Sequence, residues 1–380
     1  MSSQALRSPL IDVLKGLACA TIVWHHLAFY GPMSDVALPL FPDLMAWLYD
    51  HGRLAVQVFL VLGGFLAAGS LAPEGHARFD SAWALAGRRF VRLAIPYAAA
   101  LAVALAAAAL VRPWLDHPSV PGVPEWPQLL AHALLLQDVV GEEALSAGVW
   151  YVAIDFQLFV LAALLLAAVR RTGLPAAAQA RLTRALVTGG VAASLLYFNR
   201  QPALDVWGVY FFGAYGLGML ARWTVRAPQP GWGLAGMALL AGAALALDFR
   251  SRIAVAALTA LALVLLLRHA PAWPTGRLAG GLQRVGQMSY SVFLVHFSVC
   301  LVVNAVFAHL WPDDSVANAL GMGLAFGLAL AAGRVLYLRV ERRTPSWTQA
   351  LRWQAGMLGM GLLAFKASAF LWPRGASMAA

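Results

Sequence analysis

The stretch LIDVLKGLACATIVWHHLAFY, residues 10–30, holds one aspartate, one lysine and two histidines in an otherwise apolar run. Its length decides the fold. A helix rises about 1.5 Å per residue, so roughly 20 apolar residues cross a hydrocarbon core about 30 Å thick. A cleavable leader is not expected, because Asp12, Lys15, His25 and His26 interrupt the run and no small-residue cleavage pattern follows it. The stretch reads as a retained first crossing.

Comparable runs recur near residues 54–71, 92–111, 148–169, 185–198, 206–221, 232–248, 252–267, 286–308 and 318–338, bounded by Arg, Pro, Gly and Asp. They are continuous, not alternating, which favours helices over a barrel. The expectation is an all-α polytopic transmembrane helix bundle of about ten spans. Residues 351–371 are also long enough to cross but carry Lys366, so an eleventh span and a helix lying on the surface both remain open. Residues 1–345 are expected to form one membrane domain and 346–380 a tail.

Composition agrees: 61% of the 380 residues are hydrophobic and 12% charged, too little polar surface to cover a water-soluble globule of this size. The net charge of +10 does not point to nucleic acid, since the basic residues punctuate apolar runs and form no aromatic-interleaved stripe. Cys19 and Cys300 each sit alone in an apolar run, suggesting buried free thiols and neither a disulfide framework nor a metal site.

Sidedness follows from arginine. Assigned to alternate sides of ten spans, nineteen arginines from Arg7 to Arg352 fall on one side, and only Arg53, Arg112, Arg200, Arg250 and Arg252 on the other. Cytoplasmic loops carry the excess of basic residues, so the N-terminus is cytoplasmic. The largest outer loop spans about 112–147. Its segment WPQLLAHALLLQDVV (126–140) is apolar but too short to cross, as suits a re-entrant or interfacial helix.

Ionisable groups at bilayer depth are costly and mark candidate sites. Lys15 and His26 are eleven residues apart; at about 100° per residue they share a helix face, about 16 Å apart along the axis, with Asp12 on the same stripe. The stripe either lines a passage from the cytoplasm, or Lys15 snorkels to the interface and the histidines bond neighbouring helices. Arg88, Arg89 and Arg92 gather at the cytoplasmic mouth of the third span, where guanidinium groups suit phosphate as well as topological anchoring. The fourth span opens with Trp150 and Tyr151 and then places Asp155 and Gln157 at a depth close to that of His26, where a carboxylate would orient the imidazole. His296, near mid-depth of the ninth span, reads as a hydrogen-bonded helix contact.

Together these features resemble the acyltransferase-3 family of bacterial membrane proteins. IDVLKGLACATIVWHH is similar to the opening helix of that family, with a basic residue ten intervening positions before a catalytic histidine; here Lys15, where arginine is usual, and His26. VFLVLGGFL echoes its Phe and Ser-Gly pattern with glycine replacing serine, RRFVRLAIPY its arginine pair at Arg89 and Arg92, and VWYVAIDFQLF its tryptophan and acidic-glutamine stretch at Trp150, Asp155 and Gln157. SYSVFLVHFSV resembles its late histidine helix, placing His296, and YLRVERRTP its terminal motif, placing Glu341.

The resemblance implies a multi-pass protein of the bacterial inner membrane that moves an acyl group, acetyl or succinyl, from cytoplasmic acyl-coenzyme A to a hydroxyl of a carbohydrate or lipid-linked glycan. Catalysis would fall to His26, tuned by Asp155, with Lys15 on the same stripe; donor phosphates to Arg89 and Arg92, with Arg88 beside them; acceptor contacts to Trp150, Tyr151, Gln157 and His296. No permanently bound cofactor or metal is implied. A polytopic transporter or exporter of a glycan is the alternative reading of the same buried polar groups.

Overall fold

The computed structural model describes residues 8–269 and 276–371, except the side chains of 367–371; Arg7 and the end of the tail lie outside them. Every regular element among the described residues is helical. In chain order they are α1 (Pro9–Phe29), α2 (Met33–Ala37), α3 (Pro42–His51), α4 (Ala55–Leu71), α5 (Ala82–Val111), α6 (Trp126–Ala133), α7 (Gln137–Val140) and α8 (Val149–Arg171). There follow α9 (Ala176–Leu196), α10 (Gly208–Arg226), α11 (Pro230–Leu247), α12 (Ser251–His269), α13 (Arg277–Gln287), α14 (Ser289–Leu310), α15 (Ser315–Leu336) and α16 (Trp347–Leu371). In lipid a helix satisfies its own backbone polar groups, which is why these long apolar runs adopt it.

Among the described residues, eight helical stretches are long and apolar enough to cross a bilayer: α1, Pro42–Leu71, α5, α8, α11, α12, α14 and Ser315–Glu341. The expected ten are reached only by adding α9 and α10, whose apolar windows are shortened by Arg181 and Arg184 and by Arg222 and Arg226. These two helices are consecutive. Counting both or neither leaves the sidedness of every later helix unchanged.

The chain divides into two compact units, residues 1–18, 54–89 and 153–287, and residues 19–53, 90–152 and 288–380. In the first, α10 is the hub, packed on α4, α9, α11 and α12. Its crossing with α4 depends on glycine. A Cβ on Gly64 would lie 1.8 Å from the Tyr215 carbonyl oxygen, and one on Gly218 1.9 Å from that of Val61. The second glycine of the doublet in VFLVLGGFL, Gly64, thus lets two backbones touch.

In the second unit α14 packs on α15, and both meet α2. Cys19 and Cys300 are buried free thiols. The segment 126–140 is a helix broken in two: α6 starts on a Glu125–Gln128 capping box, and Leu135, at φ +58°, separates it from α7. The Trp347 ring stacks on Phe90 at the cytoplasmic end of α5, and Ala350 packs on Val91 and Ile95. Gln354, about 10 Å of helix beyond Trp347, donates to the Ala133 carbonyl at 2.7 Å, and Gly361 lies against Leu129. The C-terminal end of α6 therefore lies nearer the Trp347 end of α16 than its start does, and the two helices run side by side.

Candidate active site

In the second unit, α1 and α14 bring two imidazoles together: His26 Nδ1 lies 2.6 Å from His296 Nε2. The rings are within 6° of parallel with centroids 4.8 Å apart, close to the largest separation that so short a contact permits, so the hydrogen bond runs in the ring planes. His296 Nδ1 is in turn 2.7 Å from the Phe293 carbonyl oxygen. A carbonyl only accepts, so His296 Nδ1 carries the proton, and in a neutral ring its Nε2 is then a bare acceptor. His26 must donate to it from Nδ1. The consequence is chemical: His26 Nε2 keeps its lone pair, and no described residue hydrogen-bonds to it.

His25, adjacent in sequence, serves the scaffold. Its Nδ1 donates to the Leu48 carbonyl at 2.8 Å, and Gly52 closes on its Cβ. The dyad has aromatic neighbours on several sides. The Tyr30 ring lies 5.4 Å from that of His26 and meets Phe297 edge-on. Phe293 lies 6.1 Å from His296 and receives Tyr151 edge-on, with Trp150 against Tyr151. Two of the sequence-expected residues, His26 and His296, are thus in direct contact, and Tyr151 reaches them through Phe293.

In the first unit, Asp155 Oδ2 is held at 2.5 Å by Arg89 Nη2, with the Arg89 guanidinium 5.2 Å from the centre of the Phe159 ring. A buried carboxylate in a low dielectric is best compensated by a permanently charged donor, which outcompetes a neutral imidazole. Gly63 leaves room beside this pair for the Tyr215 ring, 3.3 Å from where a glycine Cβ would stand. Gln157 is also occupied in scaffolding: its amide donates to the Val206 carbonyl at 3.1 Å and accepts from Gly208 N–H at 2.7 Å, clamping the start of α10.

The cytoplasmic arginines separate as well. Arg89 points inward, whereas Arg88 and Arg92, one turn apart on α5, are exposed. Lys15 is half-buried on α1, which runs unbroken through His26; one turn before it, Asp12 accepts from Gln287 at 3.3 Å. Glu341 accepts from Ser291 at 2.6 Å, tying the turn after α15 to the helix that carries His296. The Phe293 carbonyl and Tyr215 had no sequence signal: the first is backbone, and the second is one aromatic among many.

Residues 9–369 match the acyltransferase domain that defines the acyltransferase-3 family. The chain belongs to that family. This acyltransferase-3 protein is also similar to the acyltransferase MdmB of Streptomyces mycarofaciens, at 26% identity over 371 residues, covering 90% of this chain and 92% of the relative. No solved structure matches it. The family match favours the first of the two readings of the buried polar groups: the protein is a multi-pass membrane acyltransferase, which takes an acyl donor and an acceptor.

Proposed function

We propose that this acyltransferase-3 protein acts in the bacterial inner membrane, transferring an acetyl or succinyl group from cytoplasmic acyl-coenzyme A to a hydroxyl of a carbohydrate or lipid-linked glycan, with His26 as general base. The observation that carries this reading is the bare Nε2 of His26, which the His296 contact leaves ready to accept a proton. An alcohol attacks a thioester poorly unless its proton is removed during attack, and a neutral imidazole is suited to that task near pH 7.

In the proposed step the acceptor oxygen bonds to the thioester carbonyl carbon while its proton passes to His26 Nε2. The carbon–sulfur bond then breaks, and the coenzyme thiolate leaves with that same proton. The products are an ester, free coenzyme A thiol and neutral His26. When both His26 nitrogens carry protons, Nδ1–H still donates to His296, so the dyad supports the imidazolium without rearranging. Arg88 and Arg92 are the exposed cations on α5 for the phosphates of the donor; Arg89 already gives one nitrogen to Asp155.

The test is coenzyme A release in vesicles given acetyl-coenzyme A or succinyl-coenzyme A and candidate glycan acceptors. His26→Ala at normal protein level should abolish acceptor-dependent release, by at least 10²-fold for a lost general base; retained transfer would remove His26 from the chemistry. Arg88→Ala combined with Arg92→Ala should raise the KM for the donor more than tenfold and leave kcat little changed. An unchanged KM would reduce the two arginines to topological anchors.

A further inference from the structure

A cavity of about 590 Å³ opens among α9, α10 and α11, all in the first unit. One end is polar: Arg184, Thr224 and Trp232 gather where α10 ends and α11 begins. The walls beyond are Leu220, Leu239 and Leu240, and the floor is opened by glycine, with nothing within 4 Å of where a Cβ on Gly189 or Gly236 would stand. Only 17% of the apolar window of α11 is buried, so this helix borders lipid along most of its length.

Depth identifies the occupant. Arg184 to Ala192 along α9 is about 12 Å, and Trp232 to Ala243 along α11 about 16 Å; both ends of each interval line the cavity. The groove therefore runs from headgroup level to mid-bilayer, about the 15 Å of one leaflet. Arg184 is exposed, on the arginine-rich cytoplasmic side, and hydrogen-bonds to no described residue. Trp232, 80% exposed in the first turn of α11, is the amphipathic ring expected where headgroups meet hydrocarbon.

We infer that this groove is a binding site for one phospholipid of the cytoplasmic leaflet, its phosphate on Arg184 and one acyl chain laid over Gly189 and Gly236. The ion pair fixes the headgroup, and the glycines supply the depth that a chain needs to leave the bulk bilayer and lie against protein. A guanidinium at the headgroup level prefers an anionic lipid to a neutral one.

Native mass spectrometry of the full chain in detergent, titrated with phosphatidylglycerol and separately with diacylglycerol of the same chains, tests the site. One phosphatidylglycerol should bind saturably, with diacylglycerol at least tenfold weaker. Gly236→Leu and Gly189→Leu, which project into open space, should each weaken phosphatidylglycerol at least tenfold while leaving thermal unfolding of the lipid-free protein unchanged. Arg184→Gln should erase the preference for the phosphate-bearing lipid. Undiminished binding in both leucine variants would overturn the site; equal binding of the two lipids by the native chain would overturn the role of Arg184.

Discussion

Replacing His296 by leucine removes the acceptor that holds the His26 Nδ1 proton, and the geometry sets the size of the loss. In the native dyad that proton lies in a 2.6 Å contact, and in the proposed transfer its donor becomes an imidazolium. A hydrogen bond from a charged donor contributes about 1.5–3 kcal/mol, and each 1.36 kcal/mol in the barrier is tenfold in rate. The leucine variant should therefore lose about 10- to 150-fold in kcat, and its freed ring divides between two tautomers, only one of which leaves Nε2 bare. His296→Gln is the companion, because its amide can donate to the Phe293 carbonyl and accept from His26, reproducing the native pattern of one donor and one acceptor. Stopped reactions quantifying coenzyme A thiol, normalised to folded protein by size-exclusion chromatography, should rank native, then Gln, then Leu, with KM for the donor little altered. Equal kcat in Gln and Leu, or an unchanged pH–rate profile in Leu, would refute a positioning role for His296.

Two further expectations concern the first unit. Gly64→Ala places a Cβ 1.8 Å from the Tyr215 carbonyl, and overpacking against backbone should cost about 1–3 kcal/mol or more; a lowered midpoint in thermal unfolding would show it, and an unshifted one would mean that α4 and α10 slide apart freely. Asp155→Asn removes the negative charge from the pair with Arg89, whose side chain retains 30% exposure beside 10% for Asp155. The loss should be about 2–3 kcal/mol, at or below the low end for buried pairs because of that exposure. The double variant Arg89→Met with Asp155→Leu should recover much of this stability, and failure to do so would indicate that the pair positions more than itself.

The late histidine was legible as a buried polar group on the ninth run, but its partner was not: 270 positions separate His26 from His296. Asp155 was likewise legible as a buried carboxylate, but its partner was not: depth says nothing about which way a side chain faces, and the Arg89 guanidinium holds the carboxylate. In VFLVLGGFL the first glycine of the doublet reads as a lost hydroxyl; only the nearby carbonyl of Tyr215 explains the second, because it leaves no room for a Cβ at Gly64.

By itself, the sequence determined what depends on solvent and on the period of one helix: apolar runs long enough to leave water, arginine asymmetry across the bilayer, and a lysine and histidine on one face. The membrane imposes these helix by helix, so they need no knowledge of neighbours. Tertiary structure alone decided which nitrogen of His26 is bare, that Asp155 serves Arg89, and that Gln354 bonds the end of α6 in the 126–140 segment. Each depends on a partner from a distant helix, and hydrogen bonds and ion pairs are decided at contact distance, where sequence separation carries no information.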